Sequence, residues 1–346
     1  MKIQFGKFCF RFLGVIIILA VAAWMNPVDA QLVPNLGGQR AGISAFQFLK
    51  IGVGGRAVAL GETYVAVAND ASSLYWNPAG LVQFSENTVI ASHTEYLVDI
   101  QHEFLGAVYH LDENQAIGVG ATSLHMSDMQ ITTETQPRGT GNYFKFGDVA
   151  LAGTYSRRMT DQFSFGITVR YVEETLDILK MRGVMTDIGT YYLTGLGSTR
   201  FAVVVSNFGA DVHPTGEVKQ FGGNIVNSFQ SFSPPTVFKI GIAMEPFEAE
   251  NQRITTSLEL NHPNDNAENV HFGVEYAWSK MLFLRAGVKR TIGEALLYQD
   301  NSSSSDYTLG FGVRAPESFM NATFDYAFAN FNLLGNVHRF SLSVSY

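Results

Sequence analysis

Residues that could do chemistry occur along this sequence in patterns that complete no catalytic, metal or cofactor site. Gly52-Val53-Gly54 has the spacing of part of a phosphate-binding loop, but no preceding strand or following acidic residue completes a dinucleotide site. The sequence contains no Gly-x-Ser-x-Gly elbow, and its eight histidines lack the spacing of metal ligands. Adjacent acids such as Glu173-Glu174 fall at predicted turns, where we interpret them as solvated charge. The sequence therefore predicts neither an enzyme nor a cofactor-binding or metal site.

The charge balance argues against a second class of function, nucleic-acid binding. The chain has 31 acidic and 23 basic residues, a net charge of −8, whereas a phosphate-binding surface needs an excess of basic residues. Charged residues make up 16% of the chain, against about 25% in an average soluble domain. Aromatic residues make up 13%, which argues against a disordered chain. Three classes of protein remain: a globular enzyme, a soluble all-β protein and a membrane β-barrel. The sequence offers no catalytic site for the first of them.

The N-terminus has the order of a secretory signal peptide. Three basic residues precede an apolar run over 12–23, and Val28-Asp29-Ala30 places small residues where a signal peptidase reads the chain. The run is shorter than the roughly 18 residues that a membrane-spanning helix needs. We therefore predict a signal peptide over 1–30 that is cleaved near Ala30. The single cysteine, Cys9, lies within it, so the mature chain has no disulfide to stabilise it.

Hydropathy with a period of two residues dominates the rest of the chain, as is typical of β-strands. At the C-terminus Phe340, Leu342, Val344 and Tyr346 alternate with serines. We count fourteen such segments after residue 86, and we predict an all-β fold in which they form an antiparallel sheet. The predicted strands span 87–97, 101–111, 114–125, 147–158, 161–173, 183–194, 199–208, 236–246, 251–262, 269–278, 281–291, 306–314, 319–329 and 337–346.

The connections favour a membrane barrel over a soluble β-sandwich, which alternation alone cannot separate. Tight turns alternate with connections that are mostly longer, as in outer-membrane barrels with short periplasmic turns and long extracellular loops. The strand count is even, and the last strand ends on the aromatic Tyr346. We therefore predict a transmembrane outer-membrane β-barrel over 87–346, with about 14 antiparallel strands and its apolar face in contact with lipid. Charges on the other face would point into the lumen: Arg170, Glu259, Glu275, Arg285, Arg314 and Asp325.

Residues 31–86 are rich in Gly and Ala and lack clean strand alternation. They contain Phe48-Leu49-Lys50-Ile51-Gly52-Val53-Gly54-Gly55-Arg56-Ala57, then Gly61-Glu62, Asn69-Asp70-Ala71 and Trp76-Asn77-Pro78-Ala79-Gly80-Leu81. This order resembles the opening motif of the PorV/PorQ family, within the FadL-like superfamily of outer-membrane proteins. Relatives often have two glycines in place of Gly61-Glu62 and two aspartates in place of Asn69-Asp70.

The resemblance implies a fourteen-stranded barrel in the outer membrane of a Bacteroidetes-type bacterium, with residues 31–86 folded into the lumen as a plug. Arg56 could pair with Glu259, Glu275 or Asp325 of the wall. The plug motif residues are Gly52, Gly54, Arg56, Gly61, Asn69, Asp70, Trp76, Asn77 and Pro78.

Two functions from different classes follow as expectations. In the first, the protein handles cargo in type IX secretion, where its partners are cargo C-terminal domains and other secretion components. The connection 207–235 would then offer apolar anchors at Phe208, Phe221, Phe229 and Phe232. In the second, the protein is a FadL-like channel for hydrophobic small molecules. Strand glycines such as Gly166 and Gly273 could then allow kinks in the wall, or they could simply make room for the plug.

Overall fold

The computed structural model describes residues 42–219, 223–291, 306–315, 321–331 and 334–346. The predicted signal peptide over 1–30 lies outside the described residues. Alternating apolar and polar residues form fourteen long strands among the described residues. They are β1 (Thr88–Glu95), β2 (Gln101–Asp112), β3 (Gln115–His125), β4 (Phe146–Arg158), β5 (Phe163–Leu176), β6 (Leu179–Leu193), β7 (Arg200–Gly209), β8 (Val237–Ala249), β9 (Gln252–Pro263), β10 (Asn269–Trp278), β11 (Leu282–Thr291), β12 (Asp306–Arg314), β13 (Asn321–Asn330) and β14 (Asn336–Ser345).

The strands form a closed antiparallel barrel in which each strand pairs with its neighbours in sequence. The first and last strands close the ring, with Val89 opposite Val344 and Glu95 opposite His338. Closure satisfies the backbone hydrogen bonds that an open sheet edge would leave exposed to lipid. The predicted fourteen-stranded barrel is confirmed, with the largest differences in bounds on β5 and β6. Their hairpin continues to Leu176 and Leu179, beyond the predicted 161–173 and 183–194.

The burial pattern of the strands is inverted relative to that of a soluble sandwich. On β10 the apolar Phe272, Val274, Tyr276 and Trp278 form one face, and three of the buried positions between them are His271, Gly273 and Glu275. Large apolar side chains are exposed on the outer face of other strands too, for example Leu105, Val119, Leu151, Leu284 and Leu309. An apolar exterior around a polar interior is the arrangement that a lipid surround stabilises.

The connections divide the barrel into two ends. At the short-turn end, two-residue turns join β2 to β3 and β8 to β9, and three residues join β10 to β11. At the long-loop end, the β3–β4 and β7–β8 connections span 126–145 and 210–236, and each contains a two-stranded hairpin. The β5–β6 connection departs most from this pattern, because these two strands meet at the long-loop end through a tight turn at Asp177 and Ile178.

Residues 46–84, called the inner segment below, fold inside the barrel. They form a 3₁₀ helix (Gln47–Lys50), two short α-helices, α1 (Gly55–Ala59) and α2 (Ser73–Trp76), and a second 3₁₀ helix (Pro78–Gln83). The α1 helix packs on β11 to β14, whereas the second 3₁₀ helix packs on β3 to β6, so the segment contacts opposite walls. None of the helices among the described residues is long and apolar enough to cross a membrane.

Candidate functional site

A buried ion cluster joins the inner segment to the barrel wall. Arg56 donates from Nε and Nη2 to the two carboxylate oxygens of Glu275, at 2.9 and 3.1 Å. Arg285 donates to the same carboxylate at 2.7 Å and to Asp325 at 2.6 Å. Glu275 is therefore the wall partner of Arg56, and Asp325 lies three strands further round the ring, on β13. Bidentate guanidinium–carboxylate pairs of this kind fix orientation as well as adding energy.

The other end of the Arg56 guanidinium is held within the inner segment itself. Its Nη1 donates to Asn69 at 2.7 Å and to Asp70 at 3.1 Å, and Asp70 also accepts from the hydroxyls of Tyr64 and Ser72. Burial alone would raise the pKa of the Asp70 carboxyl, but the Arg56 charge and these hydrogen bonds hold that pKa below its ordinary value. The motif residues Arg56, Asn69 and Asp70 thus form one network that connects two turns of the segment.

Wall side chains also hold the backbone of the inner segment. Glu259 accepts hydrogen bonds from the amides of Tyr64 and Val65 at 2.8 and 3.1 Å. Asn77 caps the second 3₁₀ helix by accepting from the amide of Ala79 at 3.0 Å. Its Nδ2 donates to the carbonyl oxygen of Thr190 on β6, at 3.1 Å. A 3₁₀ helix this short needs such a cap, because its first amides have no partner of their own.

Strand glycines allow the inner segment to approach the wall closely. A Cβ added at Gly166 would lie 2.3 Å from the backbone of Pro78, and one at Gly273 would lie 2.4 Å from the carbonyl oxygen of Leu60. At the tightest contact, a Cβ on Gly287 would lie 2.1 Å from the amide of Gly61, which itself has a φ of +70°. Of the two interpretations of the strand glycines, the structure supports the one in which they make room for the inner segment.

A β-bulge near the long-loop end is fixed by a buried charge network. Between β6 and β7 the register shifts after Thr186, and Asn207 adopts a positive φ of 57°. Arg170 donates to Asp187 at 2.7 Å and to Asn207 at 2.5 Å, while the amide of Asn207 donates to Asp187 at 2.6 Å. A bulge changes the face to which the following residues point, and Phe208 beyond it is directed outward with 63% of its surface exposed.

Replacing Arg170 with methionine is expected to loosen the connection that follows this bulge. The change leaves Asp187 buried without its cation, so the bulge loses two of its hydrogen bonds. We expect limited proteolysis to cleave within 210–235 at least several times faster than in the wild type. Arg182→Met is the control, because Arg182 lies exposed on the outer face, paired with Glu173. Equal cleavage rates in the two variants would contradict the role of the network.

The structure places the remaining predicted residues in different surroundings. Arg314 has the parity of the lumen face but lies exposed at the end of β12, 3.1 Å from Thr323. Phe208 belongs to β7 rather than to the loop, and Phe221 is outside the described residues. Phe229 is half-buried in the connection, and Phe232 packs against a hydrophobic cluster at the long-loop end of the barrel.

The Trp76 side chain and the early glycines of the motif lie in the core of the inner segment. Trp76 donates from its indole nitrogen to the carbonyl oxygen of Val53 at 3.0 Å. Gly52 has no room for a side chain, because an added Cβ would lie 2.9 Å from the Trp76 ring. Gly54 adopts a φ of +78° at the start of α1. These motif residues shape the segment itself.

Two cavities open at the long-loop end, on either side of the ion pair between Glu62 and Lys289. Lys289 donates to Glu62 at 2.7 Å and, although burial opposes it, holds the pKa of that carboxyl down to about 2. The first cavity, of 260 Å³, is polar and is lined by basic residues including Lys239 and Arg290. The second, of 600 Å³, has mainly aromatic and aliphatic walls and is called the aromatic cavity below. Its lining includes Phe46, Phe48, Tyr96, Phe146, Phe232 and Phe331.

Sequence reasoning missed two carboxylates in the aromatic cavity, Asp148 on β4 and Glu174 on β5. The interpretation of Glu173-Glu174 as a solvated turn pair is wrong for Glu174. The strand runs through both residues, so Glu173 points outward to Lys180 and Arg182, while Glu174 points inward and accepts from the amide of Phe46 at 2.9 Å. Arg170 and Val172 point inward, and side chains of a strand alternate between its two faces. Continuing this alternation by two residues would have placed Glu174 on the inner face.

Within the described parts of the chain, no group of three or more His, Cys, Asp or Glu side chains is placed to hold a metal ion. Inside the barrel Arg56, Arg285 and Glu275 instead pair with one another, and Glu259 binds the inner segment. Fold and interior together define an outer-membrane β-barrel that holds an N-terminal segment of its own chain.

Comparison with known families then identifies the particular class. The chain belongs to the PorV family, because the model of type IX secretion system protein PorV matches residues 36–263. The family is described as that of a type IX secretion system protein. No curated protein matches the chain.

Solved structures with a similar fold include monoaromatic hydrocarbon channels and toluene transporters. The CymD monoaromatic hydrocarbon channel is 15% identical, with a TM-score of 0.57, and the match covers 85% of this chain and 97% of that one. The Ralstonia pickettii toluene transporter TbuX is 12% identical, with a TM-score of 0.56 and the same coverage. The P. putida toluene transporter TodX is 12% identical, with a TM-score of 0.53, over 84% of this chain and 95% of that one. At these identities the likeness is one of fold.

Proposed function

We propose that this protein handles secreted cargo proteins in type IX secretion, receiving a cargo C-terminal domain at its long-loop end and passing it on for surface attachment. The observation that carries the proposal is the match of the PorV family model over residues 36–263. On this proposal the long-loop end faces the cell exterior, and the signal peptide is removed near Ala30.

The interior of the barrel supports a role at the rim rather than passage of cargo through the lumen. In our proposal residues 31–86 are a plug, of which the inner segment is the central part. The ion cluster at Glu275 and the amide contacts of Glu259 tie the inner segment to the wall. Close contacts at Gly166, Gly273 and Gly287 leave no space between the segment and those strands. A folded or extended cargo chain therefore has its accessible surface at the long-loop end.

Exposed apolar side chains at that end offer a contact surface. Leu176 and Ile178 lie exposed at the β5–β6 turn, and Phe208 lies exposed at the end of β7, next to β6. Ile225, in the hairpin of the β7–β8 connection, is exposed as well. Aromatic and aliphatic anchors of this kind carry much of the binding energy of protein interfaces. Among the predicted anchors that the structure describes, Phe208 is the exposed one, as such a role requires.

Gene deletion with complementation tests the proposal. We expect the deletion strain to lose surface proteins that carry a secretion C-terminal domain, and we expect the wild-type gene to restore them. Phe208→Ser should restore them less completely, whereas Phe201→Ser should restore them fully. Phe201 is the matched control, because it is exposed on the outer face of the same strand at the short-turn end. An unchanged surface proteome in the deletion strain would refute the proposed function.

Passage of hydrophobic small molecules is the second candidate, and the apolar lining of the aromatic cavity is the observation that favours it. Two solved structures of similar fold are described as a monoaromatic hydrocarbon channel and a toluene transporter. A shared fold does not by itself show that this chain has the same substrate. The same deletion strain separates the two candidates. Slower uptake of an aromatic hydrocarbon with an intact surface proteome would favour the channel.

A further inference from the structure

The aromatic cavity contains two carboxylates for which the described residues supply no cation. Asp148 is 3% exposed, and its Oδ1 atom is buried without a hydrogen-bond partner. Glu174 lies directly opposite Asp148 in the register of β4 and β5, and it accepts one hydrogen bond, from the amide of Phe46. No ion pair among the described residues includes either carboxylate.

The basic residues that line the same cavity are engaged elsewhere. Lys50 is paired with Asp265 at 2.9 Å, and Lys289 is paired with Glu62 at 2.7 Å. Arg339 donates to Thr94 at 2.8 Å from β14, four strands round the wall from β4. At about 4.8 Å per strand, that is about 19 Å along the wall. The two carboxylates are therefore at the opposite side of the cavity from Arg339.

The surroundings of the carboxylates are apolar. Phe46, Leu124 and Met181 line the cavity close to β4 and β5, the strands that carry the two carboxylates. Phe146 and Phe232 complete this side of the cavity. A carboxylate that is buried among such groups is costly as an anion unless a positive charge pairs with it, and without one it takes up a proton. Aromatic rings add to the stabilisation of a cation, because their faces are negative. The cavity volume of 600 Å³ is large enough for a small ligand.

We propose that the aromatic cavity binds an amphipathic organic cation, with its ammonium or guanidinium group between Asp148 and Glu174 and its apolar body against the aromatic walls. The inference goes beyond cargo handling and does not depend on it. The cation would come either from a free alkyl or aryl amine or from a lysine or arginine side chain of a peptide, since both present the same chemistry. An anionic or neutral apolar ligand lacks the group that this pair of carboxylates requires.

Binding of two isosteric probes of opposite charge tests the proposal. The probes are 4-fluorophenethylamine and 3-(4-fluorophenyl)propionate, measured by ¹⁹F NMR relaxation on the purified full-length protein in a neutral detergent at neutral pH. We expect the wild type to bind the amine and Asp148→Asn to bind it about ten- to a hundred-fold more weakly, the range for a hydrogen bond to a charged group. Glu174→Gln keeps an oxygen for the Phe46 amide, and it should also weaken amine binding.

The matched control is Asp161→Asn, which makes the same substitution at an exposed turn at the other end of β4. It should bind the amine as the wild type does, and a heat-modifiable band on SDS gels checks that each variant is folded. Competition with the peptide acetyl-Phe-Lys-Phe-amide separates the sources. Stronger displacement by the peptide than by unlabelled phenethylamine assigns a peptide side chain, and the reverse assigns a free amine. Amine affinity that is equal in the wild type and in Asp148→Asn, or absent from the wild type, would overturn the proposal.

Discussion

Replacing Glu275 with glutamine is expected to destabilise the barrel more than any other single change of a charged residue considered above. Glu275 is fully buried and receives hydrogen bonds from Arg56 and Arg285, with Arg253 3.7 Å away. The amide would leave these guanidinium groups close together without the carboxylate that neutralises them. Removing one partner of a buried ion pair costs about 3–5 kcal/mol, because the remaining charge stays buried and uncompensated. The change also weakens the link between α1 and β10.

Urea unfolding in phospholipid vesicles, followed by tryptophan fluorescence, measures this effect. The described part of the chain contains two tryptophans, Trp76 in the inner segment and Trp278 on the outer face of β10, so both parts of the molecule contribute to the signal. We expect a lower unfolding midpoint for Glu275→Gln. Glu173→Gln removes a carboxylate from an exposed network with Lys180 and Arg182, and it should leave the midpoint unchanged. Coincident curves for the two variants would show that the ion cluster does not stabilise the fold.

The second large effect is expected from a single methyl group at Gly166. An alanine there would place its Cβ 2.3 Å from the Pro78 carbonyl carbon and 2.5 Å from the amide nitrogen of Ala79. Both neighbours are backbone atoms, so a side-chain rotation cannot relieve the contact. The second 3₁₀ helix must move away from β5, which weakens the hydrogen bond from Asn77 to Thr190. Overpacking of this kind costs about 1–3 kcal/mol.

Hydrogen–deuterium exchange is the appropriate measurement, because the predicted change is local. Peptides that cover 73–84 should exchange faster in Gly166→Ala than in the wild type, while peptides from β10 and β11 should not change. Gly153→Ala provides the control, since a Cβ at Gly153 on the neighbouring strand meets no atom within 4 Å. Faster exchange in both variants would point to general loosening of the wall, and unchanged exchange in Gly166→Ala would contradict the close packing.

The strands could be predicted from sequence because lipid and lumen impose a period of two on every one of them. On β10 the apolar residues Phe272, Val274 and Tyr276 are directed outward, as their alternation with His271 and Glu275 predicts. Prediction was less accurate on β5 and β6, where pairing continues beyond the apolar region through Glu173, Glu174 and Arg182. There backbone hydrogen bonds and the pairing of Glu173 with Lys180 and Arg182 maintain the hairpin, and alternating hydropathy no longer marks it.

The contacts of the interior could not be read from the sequence in the same way. Three carboxylates were candidates for Arg56, and selecting Glu275 required knowledge of how a helix near residue 56 is placed against strands some 219 positions later. Glu259 instead binds two backbone amides, and Asp325 binds Arg285. The register shift at Asn207 points Phe208 outward. The alternation of apolar and polar residues did not predict this shift either. Such features depend on register and packing, which hydropathy does not encode.

Closure of the ring between β1 and β14 has a consequence for the order of assembly. The seam joins the first and last strands of the chain, so the wall stays open until residues up to 345 are in position. The inner segment is synthesised before every strand, and α1 packs mainly on β11 to β14, the last strands to be made. The wall can therefore close around a segment that is already present, and the last strands complete the contacts with α1.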